Sequence, residues 1–103
     1  MNTPNLPSTS WLNAPAHTAW RVAEAQRLLA FVKAAKLPDG FGNLDAKGQL
    51  APGARAETMN TARMTHCFAL AHLQGIPGCL DYAAHGVAAL RGAMQDAAYG
   101  GWF

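Results

Sequence analysis

The sequence predicts an all-α fold of about three helices and one short β-hairpin. Residues 60–73 form an apolar stretch whose only formal charge is Arg63. Two flanking stretches carry apolar residues at helical spacing, and Gly- and Pro-containing turns separate the three. Between the first two stretches, Asp45–Gly48 has the composition of a tight turn joining two very short strands, with Gly48 at the position that needs a positive φ.

The first helix is expected over about residues 14–35, with Asn13 as its N-cap and Pro15 in its first turn. Leu37–Gly40 ends it with a turn. Residues 1–12 are predicted to be a flexible tail because prolines and small polar residues favour neither helix nor strand. The apolar stripe of the helix has four members: Leu28, Phe31, Val32 and Ala35.

The second helix is expected to begin near Glu57–Asn60 and to stop at Gly75, a good C′ residue. A surface helix normally shows a charged face. Because this helix has apolar or small residues almost all the way round, we expect it to be buried on all sides. Such a helix needs neighbours beyond this short chain.

The third helix is expected over about residues 79–95. Gly86 and Gly92 either weaken it, by roughly 1 kcal/mol each relative to Ala, or permit close packing. Four residues spaced by four, three and four positions form its predicted apolar seam: Ala83, Val87, Leu90 and Met94.

Composition limits the function classes. The 103 residues suffice for one small domain, only 14% are charged, and the net charge of +2 is too weak to indicate nucleic acid or an anionic membrane as a partner. No uninterrupted apolar run reaches transmembrane length. The first ten residues lack the features of a signal peptide. We therefore expect a cytoplasmic protein with reduced cysteines.

Few residues are candidates for chemistry. His66 and His72 are six positions apart and cannot chelate a metal as an i, i+4 pair would, so no metal site is expected. Cys67 is interpreted as a core cysteine, and His72 and His85 as structural or exposed. No phosphate-binding glycine loop or nucleophile motif occurs. The large aromatics Trp20, Phe31 and Phe68 are assigned to the core.

Arg63 is the main candidate, and two interpretations of it stay open. A cation on an apolar helix requires a structural carboxylate partner, or it points into a polar cavity and binds a substrate hydroxyl or anion. His66, at i+3, is either a core histidine or a group that orients Arg63 or a ligand. Trp102 follows two glycines, a context in which aromatic side chains often stack on sugar faces.

An ordered series of short motifs, spanning nearly the whole chain, resembles the N-terminal part of the N-acylglucosamine 2-epimerase superfamily. The similarity is closest to its mannose isomerase and sulfoquinovose isomerase branch. The motifs are Pro38-Asp39-Gly40-Phe41-Gly42 with Leu44-Asp45, Thr61-Ala62-Arg63-Met64-Thr65-His66, Phe68-Ala69-Leu70-Ala71, Gly75-Ile76-Pro77-Gly78, His85-Gly86-Val87-Ala88-Ala89-Leu90 and Gly100-Gly101-Trp102-Phe103.

The resemblance implies that residues 13–103 are the N-terminal part of an (α/α)6 barrel, with the second helix an inner one. It implies a sugar substrate, no cofactor, and aldose–ketose isomerisation or C2 epimerisation by enediol-type proton transfer. Arg63 would bind the sugar, and Trp102 would lie at the cavity rim. Asn43 and Met59 depart from the family, where aromatics are common at the first position and Trp occurs at the second.

The resemblance also implies that this chain alone is catalytically silent. None of its four histidines, His17, His66, His72 and His85, matches a catalytic histidine of the family. The alternative from another class is a non-catalytic helical interaction module, whose exposed apolar helix binds a partner chain or self-associates.

Overall fold

The computed structural model describes residues 10–103, so most of the tail expected over residues 1–12 lies outside the described residues. Three helices, α1 (Pro15–Val32), α2 (Thr58–Leu73) and α3 (Leu80–Arg91), account for about half of the described residues. A 3-10 turn (Lys33–Ala35) leads from α1 into the two-residue strands β1 (Lys36–Leu37) and β2 (Gly40–Phe41). These elements confirm the predicted class of three helices with a short hairpin. The chain divides into two compact units, up to Ala30 and from Phe31 onward.

In the first unit, α1 begins at Pro15, as expected for a proline at the first helical position. The N-cap position belongs to Ala14, whose carbonyl accepts the Thr18 N–H at 3.0 Å. The prediction of Asn13 as the cap is wrong, because its N–H takes part in the preceding turn and donates to the Ser10 carbonyl. Trp20 is 59% exposed and stacks on His17, so its assignment to the core is wrong.

The hairpin forms around Pro38-Asp39, earlier in the chain than the predicted turn at Asp45–Gly48. Strands β1 and β2 pair antiparallel around Pro38-Asp39, with Lys36 opposite Phe41. The expected turn at Asp45–Gly48 is also present, with Gly48 at φ 78°, but it closes only a single bridge between Leu44 and Leu50. The difference has a long-range cause. His85 Nε2 lies 2.7 Å from the Leu37 carbonyl oxygen and 3.1 Å from that of Gly40, so it ties both ends of the first turn to α3.

The core of the second unit is an aromatic stack between the hairpin and two helices. Phe41 and Phe68 are fully buried, with ring centroids 5.9 Å apart, and Tyr82 stacks on the other side of Phe68 at 5.0 Å. The buried Thr61 hydroxyl accepts the Phe41 N–H at 3.0 Å. This bond joins α2 to β2, and among residues 10–103 no buried side-chain nitrogen or oxygen lacks a hydrogen-bond partner. Phe31, also assigned to the core, is 44% exposed and packs against Gly48.

Helices α2 and α3 approach closely at Gly86. A Cβ atom at Gly86 would overlap the Thr65 hydroxyl, so glycine is required for the contact. The expectation of close packing is confirmed at this residue. The predicted seam of α3 is wrong in part, since the buried positions of the helix are Ala83, Gly86 and Ala89, and Val87 is exposed. The helix also ends at Arg91, four residues before the predicted end.

The end of α2 follows the sequence prediction. Gly75 adopts φ 86°, its N–H donates to the His72 carbonyl, and the Ile76 N–H donates to the Ala71 carbonyl. This bond pair is a Schellman motif, which satisfies the last carbonyls of the helix. Beyond α3, Gln95 forms a bridge with Trp102. Within residues 10–103, no helix has the length and apolar character needed to cross a membrane.

Candidate functional site

The side of α2 that faces away from α3 is exposed along its whole length. We call its five residues the exposed stripe: Met59, Arg63, His66, Leu70 and Leu73. They recur at spacings of four, three, four and three, which places them along one side of the helix. Leu73 is 80% exposed and Met59 is 62% exposed. The described elements cover only the opposite side of α2, so burial on all sides, for which neighbours beyond this chain are expected, stays a prediction.

Arg63 lies in the first half of the exposed stripe, and its side chain is exposed. Among the described residues the one ion pair joins Arg27 to Glu24, so no described carboxylate lies within 4.0 Å of the Arg63 guanidinium. The interpretation of Arg63 as half of a structural ion pair finds no partner in this part of the chain. A guanidinium has five N–H donors, and because Arg63 is exposed, a planar acceptor or a hydroxyl could meet them.

A chain of polar side chains lies at the start of α2, next to the exposed stripe. Asn60 donates its side-chain N–H to Asn43 Oδ1, and Asn43 Nδ2 donates to Glu57 Oε2 at 2.6 Å. We call these three residues the amide–carboxylate chain. Asn43 and Asn60 also line a cavity of about 210 Å³ together with Phe31. In the sequence, Glu57 and Asn60 indicate only the start of a helix, and the polar residues around that start are the one signal of these side-chain bonds.

The other residues that the sequence offers as functional candidates do not come together in one site. His66 is exposed one turn after Arg63, so it is not part of the core of the described residues, and its role beside Arg63 stays a prediction. Cys67 is likewise exposed, and the assignment to the core fails; the buried cysteine is Cys79. Both side chains lie off the face on which α3 and β2 pack. His85 is structural, as expected, since both carbonyl partners of its Nε2 require that nitrogen to carry the proton.

Trp102 is 58% exposed, and its indole N–H donates to the Leu90 carbonyl at 2.6 Å near the end of α3. This bond fixes one edge of the ring and leaves its faces free for stacking. A separate cavity of about 420 Å³ lies near the hairpin turn and includes Asp39, Arg55 and Phe103 in its wall. Across residues 10–103, no group of three or more His, Cys, Asp or Glu side chains is arranged to hold a metal ion.

Comparison with known proteins assigns the chain to a family. The model of the N-acylglucosamine 2-epimerase (GlcNAc 2-epimerase) family matches residues 40–103, more than half of the chain. A D-mannose isomerase of Pseudomonas cannabina pv. alisalensis is 59% identical over 103 residues, which cover 100% of this chain and 25% of that protein. A D-mannose isomerase of Thermobifida fusca is 47% identical over 96 residues, which cover 92% of this chain and 24% of that protein.

The chain therefore spans about a quarter of the length of these curated relatives. The match begins at β2 and runs through α2 and α3, all within the second unit. The order of these elements agrees with a helical fragment of the family's barrel. The chain belongs to the N-acylglucosamine 2-epimerase family.

Proposed function

We propose that this chain is a segment of a sugar isomerase or epimerase that acts on a mannose-like monosaccharide. The reaction would be aldose–ketose isomerisation or C2 epimerisation, in which a proton next to the carbonyl moves through an enediol-type intermediate. The family match and the two relatives named D-mannose isomerase support this proposal. Residues 13–103 would form the first part of an (α/α)6 barrel, with α2 as an inner helix.

The observation that carries the proposal is the unpaired guanidinium on the exposed stripe. Arg63 is a cation on an otherwise apolar helix, and within residues 10–103 no carboxylate neutralises it. Burial of such a group in a completed barrel would be costly unless a polar ligand met it. A sugar supplies hydroxyl and carbonyl oxygens that accept hydrogen bonds. In this proposal Arg63 binds the substrate, His66 lies next to it, and Trp102 belongs to the rim.

The chain alone is expected to be inactive. Enediol chemistry needs an acid and a base on either side of the reacting carbons. Of the four histidines, His85 is committed to two backbone carbonyls, and His17 stacks on Trp20 and meets Trp11 edge-on in the first unit. His66 and His72 are six residues apart on α2 and diverge, so they do not form an acid–base pair.

A segment exchange tests the proposal. In the P. cannabina pv. alisalensis D-mannose isomerase, the matching 103-residue segment is replaced by this chain, and isomerisation of D-mannose is measured. We expect the chimera to be active and the isolated 103-residue chain to be inactive. A well-folded chimera without activity on any aldose would contradict the proposal, and so would mannose isomerisation by the isolated chain.

The alternative, an interaction module, is favoured by one observation: the apolar residues of the exposed stripe have no partner among the described elements. In that case the stripe would bind a partner chain or a second copy. Sedimentation equilibrium of the isolated chain decides this point. A defined, concentration-dependent stoichiometry that Leu73→Glu abolishes would support a module, whereas open-ended aggregation would support an incomplete barrel.

A further inference from the structure

The amide–carboxylate chain has a fixed direction. Asn60 donates to Asn43, and Asn43 donates to Glu57. Because each link needs a donor facing an acceptor, the orientation of both amides is set. The amide–carboxylate chain ends at the Glu57 carboxylate, whose Oε2 accepts the hydrogen bond from Asn43. Among the described residues, no hydrogen bond or cation within 4.0 Å engages Glu57 Oε1.

The loop between the hairpin and α2 is held in place without these side-chain hydrogen bonds. The Glu57 N–H already donates to the Phe41 carbonyl at 2.9 Å, and the Gly42 N–H donates to the Ala35 carbonyl at 2.9 Å. These backbone bonds fix both the start of α2 and the end of the hairpin. The solvent-facing side chains of Asn43 and Glu57 add rotamer ordering, which costs entropy. A fixed array of this kind suits recognition of a ligand.

Helix geometry places this array beside Arg63. Asn60 and Arg63 are three residues apart and are neighbours on the helix surface, with a rise of about 4.5 Å between them. Side chains on a helix lean toward its N-terminus. We therefore expect the Arg63 side chain to lean toward the turn that carries Asn60; Glu57, the N-cap residue with an extended backbone, lies at that end of the helix.

We propose that Glu57 is a sugar-binding residue of the Arg63 site and that Asn43 and Asn60 are positioning residues that hold its carboxylate. A sugar hydroxyl both donates and accepts hydrogen bonds. Glu57 Oε1 accepts from one hydroxyl, and the Arg63 guanidinium donates to an adjacent oxygen. Together they determine which arrangement of non-reacting hydroxyls the site accepts. This inference rests on the proposed isomerase or epimerase function.

The test combines a side-chain change with a substrate change in the chimera described above. Glu57→Gln keeps an oxygen for the Asn43 bond and replaces the free oxygen with an NH2 donor. kcat and KM are measured for D-mannose and for its 3-, 4- and 6-deoxy analogues. Glu24→Gln, which alters an exposed carboxylate on α1, serves as the matched control.

We expect Glu57→Gln to lower kcat/KM for D-mannose by roughly 10- to 100-fold, the effect of losing a hydrogen bond to a charged group. The deoxy analogue that lacks the partner hydroxyl should show the same kcat/KM in both proteins, because the interaction is already absent. Asn43→Ala should give the same substrate pattern with a smaller loss. Glu24→Gln should change none of these values.

A structural role for Glu57 predicts an equal loss for all four sugars, and that result would overturn the inference while leaving the proposed function intact. An active chimera in which Glu57→Gln has no effect would do the same. A chimera inactive on all four sugars would remove the proposed function, and the inference would fall with it.

Discussion

The two faces of helix α2 differ in what contacts them. One face carries Thr61, Thr65 and Phe68, which pack against β2 and α3 through a hydroxyl bond, a close approach at Gly86 and an aromatic stack. The opposite face is the exposed stripe, which has no partner among the described elements. A single helix thus carries one closely packed face and one exposed face.

The difference shows how the residues of α2 divide between stability and function. The packed face uses small and buried residues whose replacement changes volume or leaves a polar group unpaired. The exposed stripe uses large apolar residues at its ends and a cation within it. Substitutions on the packed face should therefore change the free energy of unfolding, and substitutions on the stripe should change binding.

The largest effect on stability is expected for Phe68→Ala. Phe68 is fully buried between two aromatic rings, and its loss leaves a cavity that typically costs about 3–5 kcal/mol. Leu70→Ala, on the exposed stripe of the same helix, is the matched control and should change stability by less than about 1 kcal/mol. Urea unfolding followed by circular dichroism measures both. Equal effects would show that the two faces do not differ as described.

Gly86→Ala should destabilise the chain although alanine is the better helix former. At an exposed site the change would stabilise the helix by about 1 kcal/mol. Here the new methyl group would overlap the Thr65 hydroxyl, and overpacking of this kind typically costs about 1–3 kcal/mol. Adding Thr65→Ala removes the overlapping oxygen and should recover part of the loss. A stabilised single variant would argue against the close approach of α2 and α3.

Thr61→Val tests the polar contact of the packed face. The isosteric change leaves the buried Phe41 N–H without its acceptor, at a cost of about 1–3 kcal/mol. Thr61→Ser keeps the hydroxyl and should lose less stability. Hydrogen exchange of the Phe41 amide provides a local readout, since it should accelerate in Thr61→Val and remain protected in Thr61→Ser.

The smallest effect on the free energy of unfolding is expected for the Arg27–Glu24 ion pair on α1. The hydrogen bonds from Arg27 hold the pKa of the Glu24 carboxyl below its usual value. A lowered pKa in the folded state stabilises the fold above the unfolded-state pKa, and the contribution disappears as pH falls through the folded-state pKa. Arg27→Gln should raise the pKa of Glu24 toward its ordinary value, as measured by NMR titration. Because the pair is exposed, stability should change little.

Local signals allowed part of this structure to be predicted from the sequence. Gly75 predicted the end of α2, and Gly48 predicted a turn with positive φ, because both depend on the conformational freedom of glycine. Apolar spacing predicted α1 and α3, and the apolar stretch with a single charge predicted α2. Arg63 was identified because a lone charge on an apolar helix is unusual; it lies on the exposed stripe, and its binding of a sugar stays a prediction.

Contacts between distant residues account for the errors. The seam of α3 was assigned to large residues such as Val87, whereas close approach at Gly86 selected small ones. The hairpin was shifted because His85, which fixes its turn, lies almost fifty positions away. The roles of Asn43 and Glu57 depend on a side-chain bond across fourteen positions, which no periodicity reveals.

The measurement that tests the account most directly is the activity of Arg63→Ala in the chimera with the P. cannabina pv. alisalensis enzyme. Arg91→Ala, which removes an exposed arginine at the end of α3, is the control. We predict that Arg63→Ala lowers kcat/KM for D-mannose by roughly 10- to 100-fold with an unchanged urea midpoint, and that Arg91→Ala changes neither. Full activity in Arg63→Ala, or a loss of activity that parallels a loss of stability, would contradict the assignment of the exposed stripe to substrate binding.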